Sequence, residues 1–545
     1  MKYQQFFGFL RSNGVKLTLT VLLALGAFWV HLAPALATTN QVVKIALLGE
    51  PPNLNSTKAT DADSFFIIGH TMEGLTRYDQ TGNIVPAVAE KWEINDKTAT
   101  FKIRKDVKWA DGSPITAKDF VFSWRTVVDP KIASEYSFLL YHIKNAEAIN
   151  TGKKPIQELG VVAKDDHTLE VTFEKPCGYF LALTTFPTYM PVKESFFKAQ
   201  NGKFGAEASN ILSNGPFKLT SWVHGASLRL EKNPNYWDAK SITLDAIDIP
   251  YITPNEGTRF NLFKTGKIDT LGLTKNILQD AQREKFKLNK FADGTLAYMR
   301  FNFREGRLTA NKNLRLALVK VLNTNDFISK VIGIPGTLEG TGLIPSYFQG
   351  TTKLFRKEYP IAARRQNLAE AKKLIAEAKK ELKITGPLSL VWLTGDTPVA
   401  TSEAEYFQGL FKTHLGIDLK IDKQIFKQRL AKASAGDFDI EAALWGPDYA
   451  DPMTFADLFT TWNNNNNGKW ENKEYDAFIR KAMNTVKPKE RMDAMAAAEK
   501  ILLEEFPIIP TYERTVIYTQ ADRLTGVVRR SVGFDPDFTR AKIIK

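Results

Sequence analysis

Cysteine is almost absent from this chain of 545 residues; Cys177 is the only one. A lone cysteine excludes an internal disulfide and any cysteine-rich metal site. It lies between Pro176 and Gly178 with no histidine beside it, which reads as a packing residue. Histidine is scarce as well: there are six, scattered without an HExxH or other ligand spacing. Of these, His167 reads as a turn residue and His70 as a half-buried polar group. Gly333–Gly342 is rich in glycine but carries no GK[ST] that would cradle a phosphate, and no strand–turn resembles a nucleophile elbow. No metal, no cofactor and no catalytic residue is therefore expected. Basic runs with interleaved aromatics are missing too, although the net charge is +13. Nucleic acid is thus a poor partner.

Long apolar runs are missing except at the start. Lys2, Arg11 and Lys16 precede the apolar stretch 17–30, and Ala35-Leu36-Ala37 follows. This is a cationic region, an apolar core and a small-x-small site, and predicts a signal peptide cleaved after Ala37. An uncleaved anchor is the alternative, although the apolar core is short for a span. Loss of those three cations takes +13 to +10. With no cysteine near the cleavage site, the mature chain cannot be a lipoprotein anchored there. The expected address is the periplasm, in soluble form.

The rest alternates strands and helices. Strands are expected at 42–48, 98–103, 168–173, 217–223, 227–231, 244–251, 388–394, 417–421, 508–512 and 516–518. Helices are expected at 64–75, 255–265, 276–285, 314–322, 326–331, 368–382, 403–414 and 488–505. Thr116 with Asp119 three residues later predicts a capping-box helix start. Asn463–Asn467 reads as a polar loop. Neither an internal repeat nor a linker long enough to free a module is apparent.

One stretch stands out. Phe438, Ile440, Ala442 and Leu444 alternate as a strand, Gly446-Pro447 breaks it, and Asp448 follows between Trp445 and Tyr449. A carboxylate held between aromatics at a strand end suits a primary ammonium group, because exclusion of water strengthens the pair. Asp448 also fits an ordinary turn residue capping the segment 453–459, and pattern alone leaves both readings open. A large exported chain with many aromatics and no catalytic motif points to a binder.

Several stretches share a resemblance. Ala87-Val88-Ala89-Glu90-Lys91-Trp92, Thr100 to Gly112 with its Val107-Lys108-Trp109-Ala110-Asp111-Gly112 end, and Thr116-Ala117-Lys118-Asp119-Phe120 come first. Lys164 to Val171, Ser213-Asn214-Gly215-Pro216-Phe217 and Asn233-Pro234-Asn235-Tyr236-Trp237 follow in order. Together they resemble the peptide-type (family 5) extracellular solute-binding proteins of ABC transporters, from about Val42 to Lys545. The resemblance implies an α/β, bilobal periplasmic-binding-protein fold of type II with a hinge and an extra third domain. It places one lobe at 38–72, 213–297 and 516–545, the extra domain at 73–212 and the second lobe at 298–515. Ligand would lie between lobes that close around it.

The same resemblance implies an oligopeptide ligand, held extended by main-chain hydrogen bonds with its α-ammonium on Asp448 of Trp445-Gly446-Pro447-Asp448-Tyr449. Trp445 and Phe426 would line pockets, Thr60-Asp61-Ala62 would offer backbone, and Tyr141 and Asn261 would fall near the walls. The partners would be a permease and ATPase complex in the inner membrane, with the binder itself a monomer. Departures from the family fall at the ligand's far end. Its oligopeptide binders place basic groups where Ile332, Ala400, Ala433 and Ala442 stand here, with Lys423, Lys427 and Arg429 as nearby substitutes. The family's disulfide positions fall near Leu296 and Gly446. A murein-peptide or other amine binder is a variant reading. A secreted hydrolase and a periplasmic chaperone or sensor of the same fold are readings from other classes.

Overall fold

The computed structural model describes residues 40–545. The expected signal segment 1–37, its cleavage after Ala37 and His31 lie outside the described residues. Two mixed sheets build the molecule. The first runs Val42–Leu47, Ala246–Ile252, Ser227–Lys232, Phe217–Val223 in spatial order. Its first pair is parallel and the others antiparallel. Val43, Ile45 and Leu47 point inward from the first strand, the period-two burial of a half-covered strand.

The second sheet runs Thr270–Leu273, Ile508–Gln520, Leu288–Phe301, Ile440–Trp445, Leu388–Gly395, Ile417–Gln424. Its last three strands are parallel. The helices Lys312–Val321, Leu368–Glu381 and Pro398–Leu415 supply its core with Leu314, Leu318, Ala371, Ile375, Phe407 and Phe411 around Trp392. Ala371, Ile375 and Ala378 fall on one buried stripe of their helix, as its spacing predicts.

A four-stranded antiparallel sheet of Ala89–Ile94, Thr98–Ile103, Thr168–Thr172 and Val161–Asp165 forms a separate layer. Beside it lies the helix Ala117–Val128. Its start is the predicted capping box: the Thr116 backbone N–H donates to the Asp119 carboxylate at 2.8 Å.

Two long strands differ from expectation. Ile508–Gln520 is continuous rather than two pieces, and Leu288–Phe301 carried no strand signal at all. The second was hidden by Asp293-Gly294, a pair that reads as a turn. Here it is a bulge, with the register shifting between Ala292 and Leu296 and Gly294 at φ 79°. A Cβ on Gly294 would meet the Tyr347 hydroxyl at 2.6 Å, so the position requires glycine. These two strands pair with each other along their length. They also reach Thr270–Leu273 on one side and Ile440–Trp445 on the other.

Cys177 is buried, and burial pushes its thiol up to about 12, in keeping with a packing role. His70 is fully buried rather than half-buried: Nδ1 donates to the Phe66 carbonyl at 2.8 Å and Nε2 accepts from the Phe538 N–H at 3.0 Å. The loop 463–467 is present, but Asn463, Asn465 and Asn466 are buried, with the Asn466 amide donating to the Trp470 carbonyl at 2.8 Å.

Candidate functional site

In the second sheet the parallel strands Leu388–Gly395, Ile417–Gln424 and Ile440–Trp445 end at one common edge. Open α/β sheets take ligands outside such carboxyl ends. Three loops leave this edge, at 395–397, at Ile425 and at 446–452. In the first sheet the parallel pair also ends together, with Leu47 opposite Ile252. The two edges face each other: a Cβ on Gly49 would lie 3.1 Å from the Phe426 Cβ.

Asp448 sits in the loop after Trp445 and is half-buried. Its backbone N–H donates to the Thr454 hydroxyl at 3.0 Å, while the Trp445 indole donates to the Thr454 carbonyl at 3.1 Å. Thr454 therefore fixes both residues. The carboxylate accepts from the Tyr136 hydroxyl, which lies 3.1 Å from each of its oxygens. No cationic side chain pairs with Asp448 among the described residues. Burial pushes its carboxyl well above the usual range, against the pull of the Tyr136 hydroxyl. Asp457 lies behind it, buried, and is raised by burial and by the Asp448 charge. The turn-capping role that pattern left open for Asp448 belongs to Asp451, which accepts from the Met453 N–H at 2.9 Å.

Tyr136 comes from the other side of the cleft, and sequence reasoning missed it. Its ring packs against Phe65, Phe186, Phe138 and Trp445, with centroids 4.9–6.4 Å away. Tyr449 stacks on Tyr179 at 5.6 Å, and the Ala450 N–H donates to the Tyr78 hydroxyl at 3.1 Å. The loop 445–450 is thus clasped by Tyr78, Tyr136 and Tyr179. The only sequence signal for Tyr136 was its membership of the same aromatic stretch as Tyr141.

The other sequence-predicted residues scatter more widely. Asp61 caps the helix Ala62–Thr71 by accepting from the Ser64 N–H at 2.8 Å, and Ala62 is exposed. Phe65 of that helix touches Tyr136, so Thr60, Asp61 and Ala62 lie on the Tyr136 side. Phe426 begins the helix Phe426–Ala435 and packs under Gly49. Gly446 sits beside Thr295, whose hydroxyl lies 3.4 Å from the position of an added Cβ. Leu296 pairs with Trp445 in register. Tyr141 is turned to Asn150, donating to its amide oxygen at 2.8 Å. Asn261 is exposed on the helix Glu256–Lys264 and lines a separate pocket with Phe260, Ile277 and Arg283.

At the far end, Ile332 and Ala433 are buried and Ala400 and Ala442 half-buried. Of the possible basic substitutes, Lys423 and Lys427 are exposed, and Arg429 is engaged at 3.1 Å by Glu441. Among the described residues, no group of three or more His, Cys, Asp or Glu is placed to hold a metal, and no helix is long and apolar enough to cross a membrane.

The sequence pattern of the bacterial extracellular solute-binding proteins, family 5, matches residues 83–467. The chain belongs to that family. It is 35% identical to the dipeptide-binding protein DppE of Bacillus subtilis, over 86% of each chain. Its fold matches that of Listeria monocytogenes OppA bound to peptide with a TM-score of 0.88 at 32% identity, covering 93% of this chain and all of that one. The Escherichia coli murein tripeptide-binding protein MppA superposes with a TM-score of 0.86 at 30% identity, covering 93% and 99%. Its unliganded open form reaches only 0.61 at the same identity, covering 93% and 98%. The family 5 chain described here therefore differs from that open arrangement.

Proposed function

We propose that this protein is the peptide-binding component of an ABC importer, and that Asp448 receives the α-ammonium of a peptide lying between the two sheet edges. The observation that carries this reading is a half-buried carboxylate at the parallel-strand edge, held in place by Thr454 and Tyr136 and paired with no cation among the described residues. Such a group is stabilised by an arriving ammonium far more than by water at a crowded site. Peptide main chain would pair along the exposed strand ends, as in strand addition. Similarity to relatives named for dipeptides, oligopeptides and a murein tripeptide supports a peptide class.

In this reading residues 38–72, 213–297 and 516–545 form one lobe, 73–212 an added domain and 298–515 the second lobe. The strands Leu288–Phe301 and Ile508–Gln520 run between the lobes as the hinge. The mature chain works in the periplasm as a soluble monomer, released by signal cleavage and without a lipid anchor. It delivers its cargo to a permease and ATPase complex in the inner membrane. Trp445, Tyr449, Gly446, Phe426, Thr60, Asp61 and Ala62 contribute walls and backbone.

Native mass spectrometry of the purified protein, with release and sequencing of co-purified species, tests this. A ladder of short peptides with free amino termini is the expected result. A single non-peptide species would overturn the substrate class.

A further inference from the structure

The far half of the same cleft carries an acid with no visible partner. Pro398 opens the helix Pro398–Leu415 three residues after the strand end at Gly395, so its first two turns stand at the binding edge. Ala400 packs against Gly395 there, 3.8 Å from the position of an added Cβ. Glu403 follows in the second turn, half-buried. Its carboxylate makes no hydrogen bond and no ion pair among the described residues. Burial raises its carboxyl to about 7.

An aromatic cluster lies one turn along the same face of its helix. One turn on, Phe407 meets Trp392 at 5.2 Å and Phe327 at 4.8 Å, and Phe327 in turn meets Tyr512 at 6.1 Å. The Glu403 charge acts on the Tyr512 phenol. Tyr512 lies in a cross-strand row with Ala297, Leu444 and Glu339. Residues paired across strands share a face. That row therefore ends at Leu444, which is 48% exposed three residues before Pro447. At its other end a Glu339 oxygen is buried without a partner. Two cations beside this row are engaged elsewhere: Arg364, whose charge acts with Glu339, donates to the Gly340 carbonyl at 2.9 Å, and Arg514, near Tyr512, pairs with Asp293.

A half-buried carboxylate that no protein donor or cation engages among the described residues, standing one turn from the strand ends, is free to pair with a cation carried by a ligand. Resting on the peptide reading above, we infer that Glu403 is a second cation-recognition point, selecting ligands that carry a lysine or arginine side chain beyond the amino terminus. The aliphatic stem of such a side chain would run over Leu444 and Ala400 to Glu403. A free peptide carboxylate at the same place would be repelled, which accounts for the missing basic anchors at Ile332, Ala400 and Ala442.

The test uses the full mature protein and penta-alanine amide, with a single lysine scanned through positions two to five. Norleucine, the uncharged analogue, is scanned in parallel. Calorimetry is expected to show one position at which lysine binds at least tenfold tighter than norleucine. Glu403→Gln should abolish that preference and still bind the norleucine peptide as the parent does, which shows that the variant is folded. A lysine preference that survives in Glu403→Gln, or peptide binding with no lysine preference at any position, overturns the inference and leaves the peptide reading standing. Failure of the parent to bind any of these peptides overturns both.

Discussion

Asp451 and Asp448 lie three residues apart in one loop and have opposite electrostatic fates. Asp451 is buried against Arg491, which donates to both its oxygens at 2.8 and 2.9 Å. Upstream, Glu441 is buried between Arg429 at 3.1 Å and Arg300 at 3.6 Å. The Asp448 carboxylate, between these neutralised acids in the chain, meets only a tyrosine hydroxyl among the described residues. Arginine-paired carboxylates hold elements together and need nothing from outside. A carboxylate left with a neutral donor at a ligand edge retains charge to offer.

Breaking the pair should give the largest effect on folding. Asp451→Ala leaves the Arg491 guanidinium buried and unpaired, and is expected to cost about 3–5 kcal/mol of stability in denaturant unfolding. Asp448→Asn is the counterpart. It should leave the unfolding midpoint unchanged or higher, because it removes an uncompensated acid, and should weaken binding of free-amine peptides by about 3–5 kcal/mol. If Asp448→Asn unfolds as readily as Asp451→Ala, the contrast between the two acids is wrong.

Titration sharpens the same contrast. The Asp448 carboxyl is raised by burial, so an ammonium can pair with it only once its proton has left. Peptide affinity is therefore expected to climb with pH until the pH passes that raised value, and binding should release a proton. Calorimetry in two buffers of different ionisation enthalpy reads the proton directly. Tyr136→Phe removes the hydroxyl that pulls the carboxyl down. It should shift the rise in affinity to higher pH and weaken neutral-pH binding by about 1–2 kcal/mol. The smallest effect belongs to Glu147 and Arg480, 3.0 Å apart and exposed. Glu147→Gln is expected to change stability by only about 0.2–1 kcal/mol, and less at high salt.

Much of this was legible in the chain. The strand at 440–445, its breaker and Asp448 follow from alternation and Gly446-Pro447. The capping box at Thr116 and the helix at 368–381 follow from local spacing. The long strand 288–301 did not, because Asp293-Gly294 looks locally like a turn and becomes a bulge only when Ile508–Gln520 lies alongside. Tyr136 was equally hidden: 312 residues separate it from Asp448, and no local pattern carries such a pairing. Tyr141 has the same chemistry five residues on, yet Asn150 takes its hydroxyl.

The sequence by itself determined the family and most of the elements, since periodicity, caps and turn residues act over a few positions and are written locally. It also placed a carboxylate just past a strand end. Which carboxylates are neutralised was decided by the tertiary structure. Asp451 finds Arg491 and Glu441 finds Arg300 only when distant segments pack together, while Asp448 finds Tyr136 and Glu403 finds no partner among the described residues. Coulomb energy depends on separation in space and on excluded water, and only the folded chain sets either.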